Sequence, residues 1–123
     1  MAKILLIDDD EQVLKVMTSF LEREHHQITT AINGRLGISL LEKQQFDLVI
    51  TDVIMPDQDG IEVLMWFLKQ VNRPKIIAMS GGSASLDQNL LLNTCSKLHA
   101  DKVLSKPFDF ATLTSAVSEV LEI

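Results

Sequence analysis

Apolar runs and stretches of helical periodicity alternate five times along this chain, and that alternation limits its fold more than any other feature. Lys3–Ile7 (KILLI), Asp47–Thr51 (DLVIT) and Lys75–Met79 (KIIAM) predict buried strands, Lys102–Ser105 (KVLS) a short one and Gln27–Ile32 a weaker one. Between them, Val13, Leu14, Met17, Phe20 and Leu21 recur at helical spacing, with Asp10 placed to cap that helix. Further helices are predicted over Leu36–Lys43, after Asn33-Gly34, over Ile61–Gln70 and over Leu86–Leu98. Leu113, Ala116, Val117, Val120 and Leu121 form the face of a last helix, with Asp109 near its start. Continuous apolar strands separated by helices imply a parallel sheet covered on both faces. Right-handed crossovers then leave a few doubly wound α/β arrangements.

Composition narrows the functional classes. The chain has 123 residues, which suits one domain with one core. It has neither a signal-type leader nor an apolar run long enough to span a bilayer, so a cytoplasmic protein without membrane contact is expected. The lone Cys95 cannot form an internal disulfide, and its apolar helical setting predicts a small buried hydrophobe. A net charge of -6 argues against direct nucleic-acid binding.

In doubly wound sheets ligands bind outside the carboxyl ends of the strands. Asp8 and Asp9, Asp52, Ser80, and Lys106 before Pro107 all fall there, each just after an apolar run. Mg²⁺ prefers oxygen ligands and is often held by one or two carboxylates together with a phosphate. Asp8, Asp9 and Asp52 supply carboxylates if the first and third strands are neighbours. Lys106 offers a compact charge for a phosphoryl oxygen, Ser80 offers a hydroxyl, and a carboxylate can accept a phosphoryl group. Taken singly, Asp8–Asp10 are equally well a helix-capping cluster, Asp52 and Ser80 loop residues, and Lys106-Pro107 a turn. Their joint placement on four strand ends carries the argument.

Ile4–Asp10 (ILLIDDD), Asp47–Gly60 (DLVITDVIMPDQDG), Ile76–Ser80 (IIAMS) and Lys106–Phe108 (KPF) resemble the receiver domain of two-component response regulators over essentially the whole chain. The resemblance implies a flavodoxin-like (βα)5 fold with strand order 2-1-3-4-5. It implies Asp52 as phosphoryl acceptor, Asp8 and Asp9 as the acidic pair for Mg²⁺, and the Ile54 carbonyl as a further metal ligand. Ser80 takes the switch position and Lys106 the phosphate-contacting one. A cis bond between Lys106 and Pro107 is implied as well. The partners implied are a sensor histidine kinase or histidine phosphotransfer protein as donor and a downstream protein target. A homodimer through the fourth helix, fifth strand and fifth helix would also fit. Such a domain catalyses only its own phosphorylation and dephosphorylation. Residues 1–123 are expected to be one receiver domain without an output segment, either stand-alone or cut from a larger protein.

Three features depart from the family pattern. Val103 stands where an aromatic switch residue is usual, so it cannot report the switch with a large ring. Gly81–Ser85 (GGSAS) opens a longer loop, either a hinge or a length variation. Trp66 shares a helical stripe with Glu62, Lys69 and Gln70 and is a candidate exposed interface anchor, against a ring lying flat on its neighbours. Access beside Asp52 would set the phosphoryl lifetime, which makes Ile54 and Gly82 the rate-tuning positions. His25, His26 and His99 have no ligand spacing, and the adjacent pair is expected in a turn or at the surface. Two other classes compete. Asp8-x-Asp10 resembles the nucleophile motif of haloacid-dehalogenase-like phosphatases, although Gln12 departs from it. A flavin module on the same fold would need a phosphate cradle where three aspartates stand.

Overall fold

The computed structural model describes residues 2–52, 63, 65–67, 69–71, 73–80 and 100–122, apart from the side chain of Ser80. Strands β1 (Lys3–Ile7), β2 (Gln27–Ala31), β3 (Leu48–Asp52), β4 (Lys75–Ser80) and β5 (Lys102–Ser105) form one parallel sheet in the order β2-β1-β3-β4-β5. The helices are α1 (Glu11–Glu22), α2 (Gly34–Lys43) and α3 (Phe110–Leu121), and Val63 and Met65–Phe67 are also helical. The helix expected over Leu86–Leu98, the Gly81–Ser85 loop, Cys95 and His99 lie outside the described residues.

Side chains alternate across each strand, which explains why the inner strands carry apolar residues on both faces. Ile4, Leu6, Leu48 and Ile50 face a cluster completed by Leu14, Met17 and Leu21 of α1 and by Leu113, Ala116 and Val117 of α3. Leu5, Ile7 and Val49 face the other way, onto Phe46, Val63 and Phe67, with Ile38, Leu40 and Leu41 of α2 packed against them. In the inner strands a residue on either side of the pleat therefore meets a helix, which favours apolar side chains on both faces.

Local chemistry sets the helix starts. The Asp10 carboxylate accepts the N–H groups of Gln12 and Val13 at 2.9 and 3.4 Å, and the Asp109 carboxylate accepts that of Thr112 at 2.8 Å. The Asn33 side chain accepts the Leu36 N–H at 2.8 Å, so α2 begins at Gly34, two residues before its apolar face. β3 and β4 each run one residue further than expected, which makes Asp52 and Ser80 the last residues of their strands. The Lys106–Pro107 bond is cis.

Candidate functional site

The carboxyl ends of β1 and β3 lie side by side because the two strands pair in register from Ile4↔Leu48 to Ile7↔Thr51. Asp8 continues β1, its N–H donating to the Ala31 carbonyl at 3.1 Å. Asp52 closes β3. Both are buried, at 0% and 4% exposure. Lys106, just past β5, reaches in between them. Its Nζ donates to Asp8 Oδ2 at 2.6 Å and to Asp52 Oδ2 at 3.0 Å. The other Asp8 oxygen accepts the Asp10 N–H at 2.9 Å. Both oxygens of Asp8 are thereby held.

Asp9 is exposed, yet carboxylate oxygens of Asp8, Asp9 and Asp52 lie within 4.8 Å of one another. Desolvation, followed by the Asp8 charge, raises the Asp9 pKa. Burial alone would lower the Lys106 pKa, but hydrogen bonds and charge from Asp8 and Asp52 outweigh it and raise the pKa. The ammonium is therefore firmly protonated. This is an acidic pocket with one lysine across it, open on the Asp9 side.

Residues 4–118 match the family model of the response regulator receiver domain. The chain belongs to that family. It is 33% identical over 121 residues to the transcriptional regulatory protein CpxR of Escherichia coli K12, covering 98% of this chain and 50% of that protein. It is 32% identical over 122 residues to the response regulator receiver protein CpdR of Brucella abortus, covering 98% of both. The chain thus spans about half the length of CpxR and nearly all of CpdR. Its fold matches the receiver domain of sensor histidine kinase PA1611 from Pseudomonas aeruginosa, a structure described with magnesium coordinated in its active-site cleft. That match has a TM-score of 0.84 and 23% identity, and covers 99% of this chain and 98% of the other.

Of the receiver site expected from sequence, the structure brings together Asp8, Asp9, Asp52 and Lys106. The backbone of Ser80 ends β4 opposite Ser105 of β5. Val103 pairs in register with Ala78 and packs, half-buried, against the cluster around Phe67. Ile54 and Gly82 lie outside the described residues.

Two expectations need correcting. Trp66 is not an exposed ring: it is half-buried, meets Phe67 edge to face at 5.3 Å and packs against the core. Trp66 and Gln70 line a cleft with Phe46, Leu41 and Pro74 at the end of the sheet away from the aspartates. His25 and His26 do lie in the expected turn, and only the surface alternative is corrected for His26, which is 9% exposed with its ring accepting the Ala2 N–H. The helix C-terminus at Leu21 directs it inward.

Sequence reading took Asp10 as a cap and missed its second role, the N–H that orients Asp8. An Asp accepting from the residue two positions on is a recurrent local turn, which the backbone N–H of almost any residue at position 10 would complete. The same geometry gives no support to a phosphatase role for Asp10, because its carboxylate is turned onto the N–H groups of α1.

Proposed function

We propose that this receiver is a Mg²⁺-dependent phospho-acceptor switch, with Asp52 taking a phosphoryl group from a phosphohistidine on a sensor kinase or phosphotransfer protein. The observation that carries this reading is the single ammonium of Lys106 held between two buried carboxylates at adjacent strand ends. In the transfer, an Asp52 carboxylate oxygen bonds to phosphorus, the phosphorus–nitrogen bond breaks, and the electron pair returns to the donor imidazole. Lys106 can leave Asp52 to contact a phosphoryl oxygen while keeping Asp8. Asp8 stays oriented by the Asp10 N–H.

The residues present fit a hard divalent cation. Three carboxylates with oxygens within 4.8 Å of one another provide an oxygen-only donor set. Asp8, Asp9 and Asp52 would hold Mg²⁺, with the Ile54 carbonyl as a further ligand. Bound there, the ion would draw charge from the phosphoryl oxygens. Ser80 and Val103 would then relay the change to a protein-interaction surface. Val103 already packs in the core, so this relay involves less side-chain movement than an aromatic ring would make.

The test is intact mass after incubation with Mg²⁺ and acetyl phosphate, alongside Asp52→Asn. The expected result is one phosphoryl adduct that needs Mg²⁺ and is absent from the variant. An adduct that persists in Asp52→Asn would overturn the assignment. If acetyl phosphate gives no adduct, a phosphohistidine donor is tried in its place, and no adduct from that donor either would also overturn it.

A further inference from the structure

The turn between α1 and β2 carries two adjacent histidines with different tasks. α1 ends in a Schellman arrangement: the His26 N–H donates to the Leu21 carbonyl at 3.3 Å and the His25 N–H to that of Glu22 at 3.0 Å. His25 takes the left-handed conformation this requires, at φ 66°. The chain then turns and carries the His26 ring inward. There Nδ1 accepts the backbone N–H of Ala2 at 3.0 Å. The Gln27 N–H donates to the Ala2 carbonyl at 2.9 Å, beside the first β1–β2 pair, Lys3↔Gln27. Ala2 is thus held on both its polar groups by consecutive residues, His26 of the turn and Gln27 at the start of β2.

An accepting ring nitrogen carries no proton, so the ring in this arrangement is neutral and protonated on Nε2. An imidazolium has N–H on both nitrogens and would set one of them against the Ala2 N–H. We propose that His26 is an acid-released latch, fastening the start of β1 to the α1–β2 turn while its ring is neutral and freeing it on protonation.

The surroundings favour the neutral form. Burial is the largest influence and lowers the His26 pKa below 6.5. The chain's amino terminus and His25 act in the same direction, and Glu24 opposes them. From the strand side, Lys3 follows Ala2, and the Asp47 carboxylate is taken up by the Lys3 N–H at 2.8 Å. α1 presents Leu21, which is apolar and buried. The unfolded ring binds a proton more readily than the folded one. The latch's contribution is therefore complete above pH 6.5 and is lost as pH falls through the lower folded value. β2 is an edge strand paired with β1, so this edge of the sheet loosens first.

Nitrogen-15 NMR of the full chain tests this. A His25→Gly background removes the neighbouring titration and keeps the left-handed turn. The ring should be Nε2-protonated when neutral and titrate below 6.5, and the Gln27 amide should shift with the same midpoint. In His26→Asn the amide oxygen stands near the place of Nδ1 and does not titrate, so the Gln27 amide should stay flat over that range. A neutral ring protonated on Nδ1, a midpoint at or above 6.5, or an equal Gln27 shift in His26→Asn would each overturn the latch. If His26→Asn does not fold, the parent titration decides. Coincident ring and amide midpoints support the latch, and an indifferent amide overturns it.

Discussion

Gly37→Ala isolates how tightly α2 is seated on the strand that leads into the site. A Cβ at position 37 would lie 2.3 Å from Ile7 Cδ1 and 2.9 Å from its Cγ1. Ile7 is fully buried and its backbone pairs with both β2 and β3, so the strand itself cannot retreat. Overpacking of this kind costs about 1–3 kcal/mol. Replacing glycine inside a helix returns about 1 kcal/mol of propensity. The net expectation is a loss of about 0–2 kcal/mol. Ile7→Val alone should cost about 0.5–1.5 kcal/mol. It also removes the worst contact, so in that background Gly37→Ala should be neutral or stabilising. The coupling between the two changes should be about 1–2 kcal/mol in favour of the pair. Urea midpoints of the four proteins, at constant m-value, measure it. Additivity within about 0.5 kcal/mol would show that Ile7 yields freely and refute the reasoning.

Lys106→Met strips the cation from two buried carboxylates and should cost up to about 3–5 kcal/mol in metal-free buffer at pH 7. A loss below about 1 kcal/mol in urea unfolding would refute this. His25→Gly relieves a left-handed non-glycine residue and should stabilise by about 1 kcal/mol, or roughly 4 °C by thermal unfolding. Glu119→Gln removes the charge from the exposed 2.6 Å contact with Lys102 and should change the unfolding free energy by less than about 1 kcal/mol in urea titration. Ile54→Asn should speed loss of the phosphoryl group if the bulky side chain hinders the attacking water. An unchanged dephosphorylation rate by intact mass would end that idea.

The fold was legible because the inner strands β1, β3 and β4 are buried on both faces, so each wrote an almost continuous apolar run. β2 was the weak reading for the same reason in reverse: as the edge strand it leaves Gln27 and Thr30 exposed. The helix starts were legible at Asp10 and Asp109 but late by two residues at α2, where Gly34 and Arg35 carry no apolar pattern. The aspartates and Lys106 were legible jointly, since a polar residue directly after a buried run marks a strand's carboxyl end. Two kinds of detail were not. The Asp10 N–H holding Asp8 is a backbone contact, which side-chain identity does not encode. The burial of His26 depends on the turn at His25, a left-handed conformation that histidine rarely adopts and that sequence therefore does not suggest.

Charge ties the site's geometry to the reading proposed for it. Among the described residues, the three carboxylates of Asp8, Asp9 and Asp52, two of them buried, outnumber the one ammonium of Lys106 by two. A divalent cation cancels that excess, and a monovalent one does not. The site should thus be more stable with Mg²⁺ than without it, by an amount that grows with ion concentration. Phosphorylation of Asp52 would replace one carboxylate charge with a phosphoryl group of nearly twice that charge, carried further from the strand end. The ammonium of Lys106 then has a stronger partner than Asp52 on one side and an unchanged Asp8 on the other. Because Asp8 is fixed by the Asp10 N–H, the adjustment falls on Lys106 and β5 rather than on β1. Val103 lies on that strand, three residues before Lys106, and packs into the core. A shift at Lys106 would therefore be felt at Val103, although no aromatic ring is there to rotate. This gives a definite expectation for Val103→Tyr: if the added ring overpacks this half-buried position, the unphosphorylated protein should lose about 1–3 kcal/mol by urea unfolding. The loss should be smaller in the phosphorylated protein if β5 moves as argued. An equal loss in both forms would mean that the charge change at Asp52 is absorbed by the lysine side chain alone.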